Sequence, residues 1–372
     1  MSSAARQWRE RRRSSPKSLP QSPVCLPGTT AEPAACARTR EDRTAVTPTV
    51  SRSPRALVTG GAGFIGSHVC ELLVSRGYQV DIIDNLSSGK RENVAAGATL
   101  HVTEIGSPEA AALVREGKYD ALFHLAAQID VRKSVNDPMF DAGVNIVGTL
   151  NLLEAVRASG HPTRVIFSST GGAIYGDFVS VPTVESMPKD PQSPYGIAKL
   201  SVEYFLGYYA RIHGLDTVAL RYANVYGPRQ DPHGEAGVVA IFCNRILKGE
   251  ALTVFGEGLQ TRDYVYAGDV ARANLAAAEA SLPPAAQVDV RAYNVGTGVE
   301  TTVLDLAQAL QSAAGSNVSV QHAPARLGEQ QRSSVNIGKA GRELGWAPEM
   351  TLAAGTARTF EFFAAKARGG AA

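Results

Sequence analysis

Tyr195 and Lys199 are the side chains whose types and spacing are best suited to chemistry. They stand four residues apart in the segment Ser193–Lys199, where a run of apolar residues at helical spacing begins. We therefore expect both on one helix face, with Cβ atoms about 6 Å apart. A free tyrosine has a pKa of about 10, and a neighbouring ammonium stabilises its phenolate and lowers that pKa. Such a pair could take a proton from a hydroxyl and return it, although an amphipathic helix with a surface lysine shows the same spacing.

A glycine-rich turn farther upstream indicates a second kind of chemistry. The apolar strand 55–59 runs into glycines at 60, 61, 63 and 66, and a helix and a strand ending at Asp84 follow. Gly60 and Gly63 would let the backbone approach a pyrophosphate at the helix N-terminus, and Gly66 would let helix and strand pack closely. Asp84 would accept hydrogen bonds from the adenosine ribose and repel a 2′-phosphate, which favours NAD over NADP. The alternative is a glycine-rich turn that binds no ligand.

The alternation of strands and helices over residues 54–227 predicts the fold class. Because parallel strands are joined by helical crossovers, it indicates an α/β fold with a doubly wound parallel sheet of the Rossmann type. The glycine turn, Asp84 and Tyr195 would then meet at the carboxyl edge of the sheet. From residue 228 to about 365 the pattern changes. We expect a smaller mixed α/β lobe there, mainly for binding substrate, with some segments returning to the first domain.

Composition limits the classes of partner. The chain has 372 residues, 44% of them hydrophobic, and a net charge of +2. Residues 1–53 hold ten basic and four acidic residues, a net charge of +6 that leaves −4 for the remainder. We expect this tail to be disordered. Its charge is consistent with a transit peptide or with an arm that binds an acidic partner. Because the tail shows no amphipathic pattern, an extension with no fold is favoured. The mildly acidic body has no basic stripe, so we expect no nucleic-acid partner.

The cysteines and the hydropathy of the chain indicate the cellular compartment in which we expect the protein. The four cysteines lie at positions 25, 36, 70 and 243 without a C-x-x-C pattern. We expect reduced thiols in a cytoplasmic protein and no metal site. No apolar run reaches the roughly 18 residues of a membrane-spanning helix, so we expect no membrane association.

Eight short motifs follow one another along residues 54–365. They are T-G-G-A-G-F-I-G at 59–66, D-N-L-S at 84–87, H-L-A-A at 124–127, N-I-V-G-T at 145–149, S-S-T at 168–170, S-P-Y-G-I-A-K at 193–199, R-Y-A-N-V-Y-G-P at 221–228 and T-R-D-Y-V at 261–265. Together they resemble the NAD-dependent epimerase/dehydratase family of the extended short-chain dehydrogenases/reductases. The likeness is greatest to members that epimerise a UDP-sugar at carbon 4.

The resemblance implies an NAD site and indicates its residues by position. These are Gly60, Gly63, Phe64, Ile65, Gly66, Asp84, Asn85, Leu86, Ser87, Ile105, Leu125, Ala126, Ala127, Asn145, Tyr195, Lys199 and Tyr222. Lys199 would both lower the pKa of Tyr195 and bond the nicotinamide ribose, and the positive ring would act in the same direction. Ala223 stands where the family often has a phenylalanine near the nicotinamide.

The resemblance also implies a reaction, the interconversion of UDP-glucose and UDP-galactose by transient hydride transfer to bound NAD. Tyr195 would take the proton of the sugar's 4-hydroxyl, with Thr170 relaying or orienting it, and the bound 4-keto sugar would take the hydride back on its other face. The segment 168–175 is one residue longer than in familiar members, which leaves Ser169 as the alternative hydroxyl. Relatives that dehydrate or decarboxylate their sugar have an acidic residue after that hydroxyl, whereas residues 171–173 are Gly-Gly-Ala, which favours simple epimerisation.

Substrate contacts follow from the same resemblance. The implied positions are Thr170, Tyr195, Asn224, Val238, Val239, Arg262 and Arg326. Arginine suits a diphosphate because its planar fork pairs bidentately with phosphate oxygens, although Arg262 could simply pair with Asp263. Ser333 stands where a tyrosine limits the pocket in glucose-only members, which leads to the hypothesis that N-acetyl sugars, UDP-GlcNAc and UDP-GalNAc, are also accepted.

Other functions on the same fold are a UDP-glucuronate 4-epimerase, a nucleotide-sugar reductase and a non-catalytic NAD-binding regulator. Such regulators can lose the tyrosine, whereas this chain retains Tyr195 and Lys199. The resemblance further implies a homodimer, in which helices near 140–158 and 194–213 pair into a four-helix bundle.

Overall fold

The computed structural model describes residues 52–177, 179–232, 237–326 and 330–369. Except for Arg52 and Ser53, the tail predicted at 1–53 lies outside these residues. The strands of the described residues are β1 (Arg55–Thr59), β2 (Gln79–Asp84), β3 (Thr99–Val102), β4 (Ala121–His124), β5 (Arg164–Thr170), β6 (Asp216–Tyr222), β7 (Asn224–Tyr226), β8 (Leu252–Phe255), β9 (Thr261–Arg262), β10 (Tyr264–Tyr266), β11 (Ala292–Val295), β12 (Thr301–Thr302) and β13 (Val320–Ala323).

Helices precede or follow most of these strands. The α-helices are α1 (Phe64–Ser75), α2 (Pro108–Gly117), α3 (Val131–Asn136), α4 (Pro138–Ala142), α5 (Gly148–Ser159), α6 (Pro194–His213), α7 (Val238–Leu247), α8 (Ala267–Glu279), α9 (Val303–Ala314), α10 (Gly338–Leu344) and α11 (Leu352–Gly369). Short 3₁₀ helices lie at Arg91–Asn93 and Val288–Arg291, and a π-helical turn at Gly143–Val147 joins α4 to α5. No helix in the described part of the chain is both long and apolar enough to cross a membrane.

Seven strands form one sheet in the order β11–β6–β5–β4–β1–β2–β3, and every neighbouring pair is parallel. The chain runs outward from β1 in one direction through β2 and β3, then crosses to β4 and continues in the other. A crevice therefore opens at the carboxyl ends of β1 and β4, where the winding reverses. This arrangement confirms the predicted doubly wound α/β sheet.

Apolar residues cover both faces of the sheet. In β1, Ala56 and Val58 pack into one core with residues of α1 and α8, whereas Leu57 packs into the other core with α2, α5 and α6. A strand buried on both faces reads as a continuous apolar run. This is why the parallel strands could be recognised in the sequence.

The chain after β6 builds a second set of elements beyond the carboxyl edge. Pairs β7–β10, β9–β12 and β8–β13 lie there, with a separate core that includes Tyr226, Phe242, Leu306 and Phe363. Strand β11 returns to the large sheet beside β6. The segments after residue 227 therefore contribute to both parts of the structure.

One predicted helix differs from the structure. The sequence predicts continuous helix from about Phe140 to Ala158, whereas the structure inserts a wide π turn at Gly143–Val147 between α4 and α5. Asn145 lies in this turn and bonds through its side chain to the backbone of Gln128. Such turns often occur at functional sites, and here the turn presents Asn145 to the segment that follows β4.

Candidate active site

Helix α6 positions the predicted catalytic pair. Ser193 caps it by accepting a hydrogen bond from the amide of Gly196, Pro194 is its first residue, and Gly214 ends it in the left-handed conformation. These are favourable residue types for each position. Because the cap sets where the helix begins, Tyr195 and Lys199 fall in its first two turns, on the side that meets β5.

Lys199 is a buried ammonium. The residue is 3% exposed, and Nζ donates a hydrogen bond of 2.8 Å to the carbonyl of Ser168 at the end of β5. Nζ also lies 4.7 Å from the ring centre of Phe167 and 5.9 Å from that of Tyr195. Burial lowers the pKa of Lys199 to about 8, and the carboxylate of Asp141 acts in the opposite direction. At neutral pH the side chain therefore remains mostly charged.

Tyr195 departs from the prediction. The residue is half-buried, and its burial, followed by the charge of Asp141, raises the pKa of Tyr195 above its ordinary value. The predicted lowering by Lys199 is not found in the chain's own geometry. The reason is that burial and the Asp141 carboxylate both raise this pKa, whereas the Lys199 ammonium lies 5.9 Å from the ring centre and donates its hydrogen bond to Ser168.

The strand geometry separates the two candidate hydroxyls at the end of β5. Ser169 is 3% exposed, and its hydroxyl donates a bond of 2.5 Å to Glu203 on α6. Thr170 is half-buried at the last position of the strand. Since successive strand residues point to opposite faces, the two hydroxyls lie on different sides. The Ser169 hydroxyl is therefore part of a buried hydrogen-bond network. Of the two candidate hydroxyls, that of Thr170 remains without a role in this network, at the end of the strand.

That network was not predicted from the sequence. Fully buried Arg221 donates hydrogen bonds to both carboxylate oxygens of Glu203, to Asp289 and to the hydroxyl of Tyr175. It ties α6 to β6 directly behind Ser169. An arginine and a glutamate 18 residues apart carry no sequence signal that they will meet, although an arginine inside an apolar strand calls for a buried partner.

The glycine-rich turn is shaped as a dinucleotide site requires. Gly60 has φ +71°, and a Cβ there would lie 2.8 Å from the amide nitrogen of Ala126; a Cβ on Gly66 would lie 2.1 Å from the carbonyl oxygen of Gly60. Helix α1 has no acidic residue in its first turn. The amides of Phe64 and Ile65, at the start of this helix, have no partner within it and suit an anion. The residues present therefore fit the pyrophosphate of NAD.

Asp84 ends β2 beside this turn. Its carboxylate accepts hydrogen bonds from the amides of Ala62 at 3.0 Å and Leu86 at 2.8 Å. Leu86 has φ +58°, and Ser87 donates to the side chain of Asn85, so the segment 84–87 forms a tight turn around the carboxylate. Each carboxylate oxygen keeps a free lone pair, which fits the predicted contact with ribose hydroxyls.

A buried hydrogen-bond chain supports the segment that follows β4. Thr59 bonds to Nδ1 of His124 at 2.7 Å, Nε2 of His124 bonds to Thr149 at 2.8 Å, and Thr149 donates to the carbonyl of Asn145. The amide of Ala126 donates to Thr59. Burial, assisted by Lys199, lowers the pKa of His124 to about 3, so a neutral imidazole protonated at Nε2 completes the chain. The backbone at Leu125–Ala127 is thereby fixed next to the glycine turn.

Two predicted cofactor residues lie in the core. Ile105 is 7% exposed and packs with α2 and α5. Tyr222 is 5% exposed, and its hydroxyl accepts a hydrogen bond of 2.7 Å from Asn274 on α8. This hydrogen bond directs the hydroxyl toward α8, which packs with Tyr222 in one core of the sheet. Its contact with a cofactor stays a prediction.

Apart from Thr170 on β5 and Tyr195 on α6, the predicted substrate residues lie in the part of the chain that follows β6. Asn224 is exposed at the start of β7, and Val238 and Val239 begin α7. Arg262 donates to the carbonyls of Thr261 and Gln330. Exposed Arg326 stacks on the ring of Phe255, 3.8 Å from its centre. The two arginines are therefore held by contacts with different segments, Arg262 with Gln330 and Arg326 with Phe255.

Known proteins resemble the chain over most of its length. A UDP-glucose 4-epimerase of Mycolicibacterium smegmatis is 44% identical over 319 residues, which cover 84% of this chain and all of that protein. The crystal structure of a UDP-glucose 4-epimerase from Thermotoga maritima with UDP-glucose is 47% identical, covers 84% of this chain and 99% of its own, and has a TM-score of 0.79.

A further solved structure, the UDP-glucose 4-epimerase of Thermus thermophilus in complex with NAD, is 44% identical, with a TM-score of 0.76 over 83% of this chain and 99% of its own. The NAD dependent epimerase/dehydratase family matches residues 56–296. That range contains the glycine turn, Asp84, Thr170 and the Tyr195–Lys199 helix. On this similarity and this geometry together, the chain belongs to the NAD-dependent epimerase/dehydratase family.

Proposed function

We propose that the chain is an NAD-dependent isomerase that interconverts UDP-sugars differing in configuration at carbon 4, UDP-glucose and UDP-galactose. One observation carries this proposal: Tyr195 and buried Lys199 meet the end of β5 at the same sheet edge as the glycine turn. The similar proteins support the choice of sugar, since they are named for UDP-glucose.

NAD, when bound, supplies reversible acceptance of a hydride. The backbone around Gly60 and Gly66 and the start of α1 would hold its pyrophosphate, and Asp84 its adenosine ribose. Lys199 would bond the nicotinamide ribose. Leu125 to Ala127, fixed by the His124 chain, would form the wall beside it.

The proton is handled by the chain's own residues. Tyr195 would take the proton of the sugar's 4-hydroxyl and later return it. Because burial raises the pKa of Tyr195, its phenolate needs a cation nearby, and the Lys199 ammonium lies beside its ring. Asn224, Val238, Val239, Arg262 and Arg326 would position the nucleotide, with Arg262 and Arg326 paired with its phosphates.

The hydroxyl at position 170 gives a testable distinction. Thr170→Ala should lower kcat about 10-fold or more, because a group that relays or orients the proton is lost. Ser169→Ala should change kcat little and instead lower stability by about 1–3 kcal/mol, because Glu203 loses a buried hydrogen bond. Steady-state kinetics and thermal unfolding of both variants would separate the roles. A larger loss of kcat in Ser169→Ala would reverse them.

Product analysis tests the proposed function. The protein would be incubated separately with UDP-galactose, UDP-GlcNAc, UDP-glucuronate and dTDP-glucose, and the products resolved by chromatography. We expect UDP-glucose from UDP-galactose, with no net formation of NADH because the hydride returns to the sugar. Conversion of UDP-glucuronate alone, or stoichiometric consumption of added NAD, would contradict the proposal.

The range of sugars that the site accepts is predicted to depend on Ser333. This residue is small, 8% exposed, and follows the segment whose Gln330 carbonyl bonds Arg262. We propose that this position leaves room for an N-acetyl group, so that UDP-GlcNAc is also converted. If UDP-galactose turns over at saturation and neither N-acetyl sugar does, this part is wrong.

We further propose a homodimer built through α6 and the α4–α5 segment. Helix α6 buries Ala198, Val202 and Leu206, yet exposes large apolar residues at helical spacing on its outer side, namely Ile197, Tyr204, Tyr208 and Ile212. Light scattering should give about twice the chain mass of 39.2 kDa. Tyr204→Glu should give the monomer, whereas Val299→Glu, at a site equally exposed, should not. A monomeric wild-type protein at micromolar concentration would overturn the proposal.

We also propose that residues 54–227 mainly hold the cofactor and 228–365 mainly the substrate.

The cytoplasm is the proposed location of the protein. Two free, buried cysteines, Cys70 and Cys243, support it because a reducing compartment keeps such thiols unpaired.

A further inference from the structure

Asp141 is a buried carboxylate that the reaction described above does not use. It lies in α4 and is 1% exposed. One oxygen, Oδ1, accepts hydrogen bonds from Nε2 of Gln128 at 2.9 Å and from Nδ2 of Asn145 at 3.0 Å. The other, Oδ2, is buried and has no hydrogen-bond partner among the described residues. A buried carboxylate oxygen left in this way is costly, so a compensating charge is expected nearby.

Lys199 presents the complementary situation. Its ammonium is buried and bonds to a backbone carbonyl, and no carboxylate of the described residues forms an ion pair with it. Helix α4 packs against α6, which brings Asp141 close enough for its charge to act on Lys199 and Tyr195. Two buried groups of opposite charge, each without a directly paired ion among the described residues, thus lie on two helices that pack against each other.

The other charged side chains around α6 do not provide this compensating charge. Asp141 is the charged side chain that raises the pKa of both Lys199 and Tyr195. His124, on β4, faces Lys199 but is neutral. The remaining charged side chains on α6 and on the elements packed against it are Arg132 and Lys133 on α3, Asp137 before α4, Glu154 and Arg157 on α5, Arg164 on β5, Glu203, Arg211 and His213 on α6, Asp216 and Arg221 on β6, and Asp289 and Arg291 in the 3₁₀ helix.

We propose that Asp141 is the counter-charge of Lys199, a positioning residue that keeps Lys199 an ammonium beside Tyr195. Gln128 and Asn145 hold the carboxylate through Oδ1. Its second oxygen, Oδ2, and its negative charge therefore remain available to Lys199. The proposal rests on the proposed function, in which this ammonium stabilises the Tyr195 phenolate.

The charge has a predictable effect on the dependence of activity on pH. A carboxylate raises the pKa of both Lys199 and Tyr195. Activity requires Tyr195 deprotonated and Lys199 protonated, so the pKa values of these two groups together set the two limbs of a profile of kcat. Removing the charge should therefore move both limbs to lower pH, by roughly one unit.

Asp141→Asn is the appropriate variant, because its amide oxygen can still accept the bonds from Gln128 and Asn145. We expect the kcat profile for UDP-galactose to shift to lower pH, with activity near wild type at its own optimum and KM little changed. Asp137→Asn is the matched control. It removes an exposed carboxylate that caps the same short helix, and asparagine caps as well, so its profile should not move.

Thermal unfolding gives a measurement that does not require turnover. The pKa of Lys199 in the folded chain lies below its unfolded value, so the unfolded state binds more protons between the two values and stability rises with pH in that window. Without Asp141 the window begins at lower pH. The Tm of Asp141→Asn relative to Asp137→Asn should therefore increase between about pH 6.5 and pH 8, where Lys199 would begin to deprotonate.

The outcomes separate the two proposals. A constant Tm difference together with an unmoved kcat profile would show that Asp141 only holds the loop at Gln128, and would overturn the inference. If no sugar is converted, the proposed function fails, but the pH dependence of the Tm difference still decides whether Asp141 acts on Lys199.

Discussion

Tyr195→Phe should lower kcat for UDP-galactose by about 10²–10⁴-fold, the usual contribution of a positioned general acid–base group. The substitution removes one oxygen and keeps the ring that lies beside Lys199. Because the glycine turn and Asp84 are unaffected, the variant should retain NAD in the same ratio as the wild type. The loss should appear in kcat rather than in KM, since the proton is transferred only in the reaction.

Three measurements make this result decisive. NAD released on denaturation gives the cofactor content, calorimetry with UDP gives nucleotide binding, and single-turnover kinetics give the chemical step. Tyr204→Phe is the matched control, because it removes a hydroxyl from the same helix at a residue that is 56% exposed. Activity of Tyr195→Phe equal to that control would place the base elsewhere. Loss of NAD from the variant would instead indicate a role in binding.

The parts of the site that could be predicted carry local signals. Gly60 and Gly66 occupy positions where a Cβ would collide with the backbone, so a glycine pattern in the sequence directly reports the turn. The Tyr195–Lys199 face follows from their four-residue spacing and from the run of apolar residues at helical spacing that begins in the segment Ser193–Lys199. The parallel sheet follows from strands buried on both faces, which appear as apolar runs.

The parts that could not be predicted depend on meetings between distant segments. Asp141 and Lys199 are 58 residues apart in the sequence, and a lone aspartate in a helical run reads as a solvated position. The π turn contains Asn145, whose side chain bonds to the backbone of Gln128, a residue in another segment. The raised pKa of Tyr195 likewise depends on the burial of the residue in the folded chain and on the charge of Asp141. Residue type alone indicates the ammonium neighbour but not the extent of desolvation.

The Glu203–Arg221 pair, which also depends on such a meeting, supports the second large prediction. Both residues are fully buried, and the carboxylate accepts three hydrogen bonds from the guanidinium, the shortest 2.6 Å long. Arg221→Met leaves Glu203 charged and buried, with Ser169 as its remaining hydrogen-bond partner among the described side chains. Breaking a buried ion pair in this way costs about 3–5 kcal/mol, a large fraction of the 5–15 kcal/mol that stabilises a typical domain.

Denaturant unfolding of a double-mutant cycle would measure this coupling. We expect Arg221→Met to lose about 3–5 kcal/mol, and the double variant Arg221→Met/Glu203→Met to recover much of the loss, because an apolar pair of similar volume replaces two buried charges. Arg291→Met is the control, since its partner Asp216 is 38% exposed and such pairs contribute at most about 1 kcal/mol. Equal losses in Arg221→Met and Arg291→Met would mean that the buried network is not what holds α6 against β6. In that case the position of Lys199 on α6 would depend on its apolar packing alone, through Ala198, Val202 and Leu206.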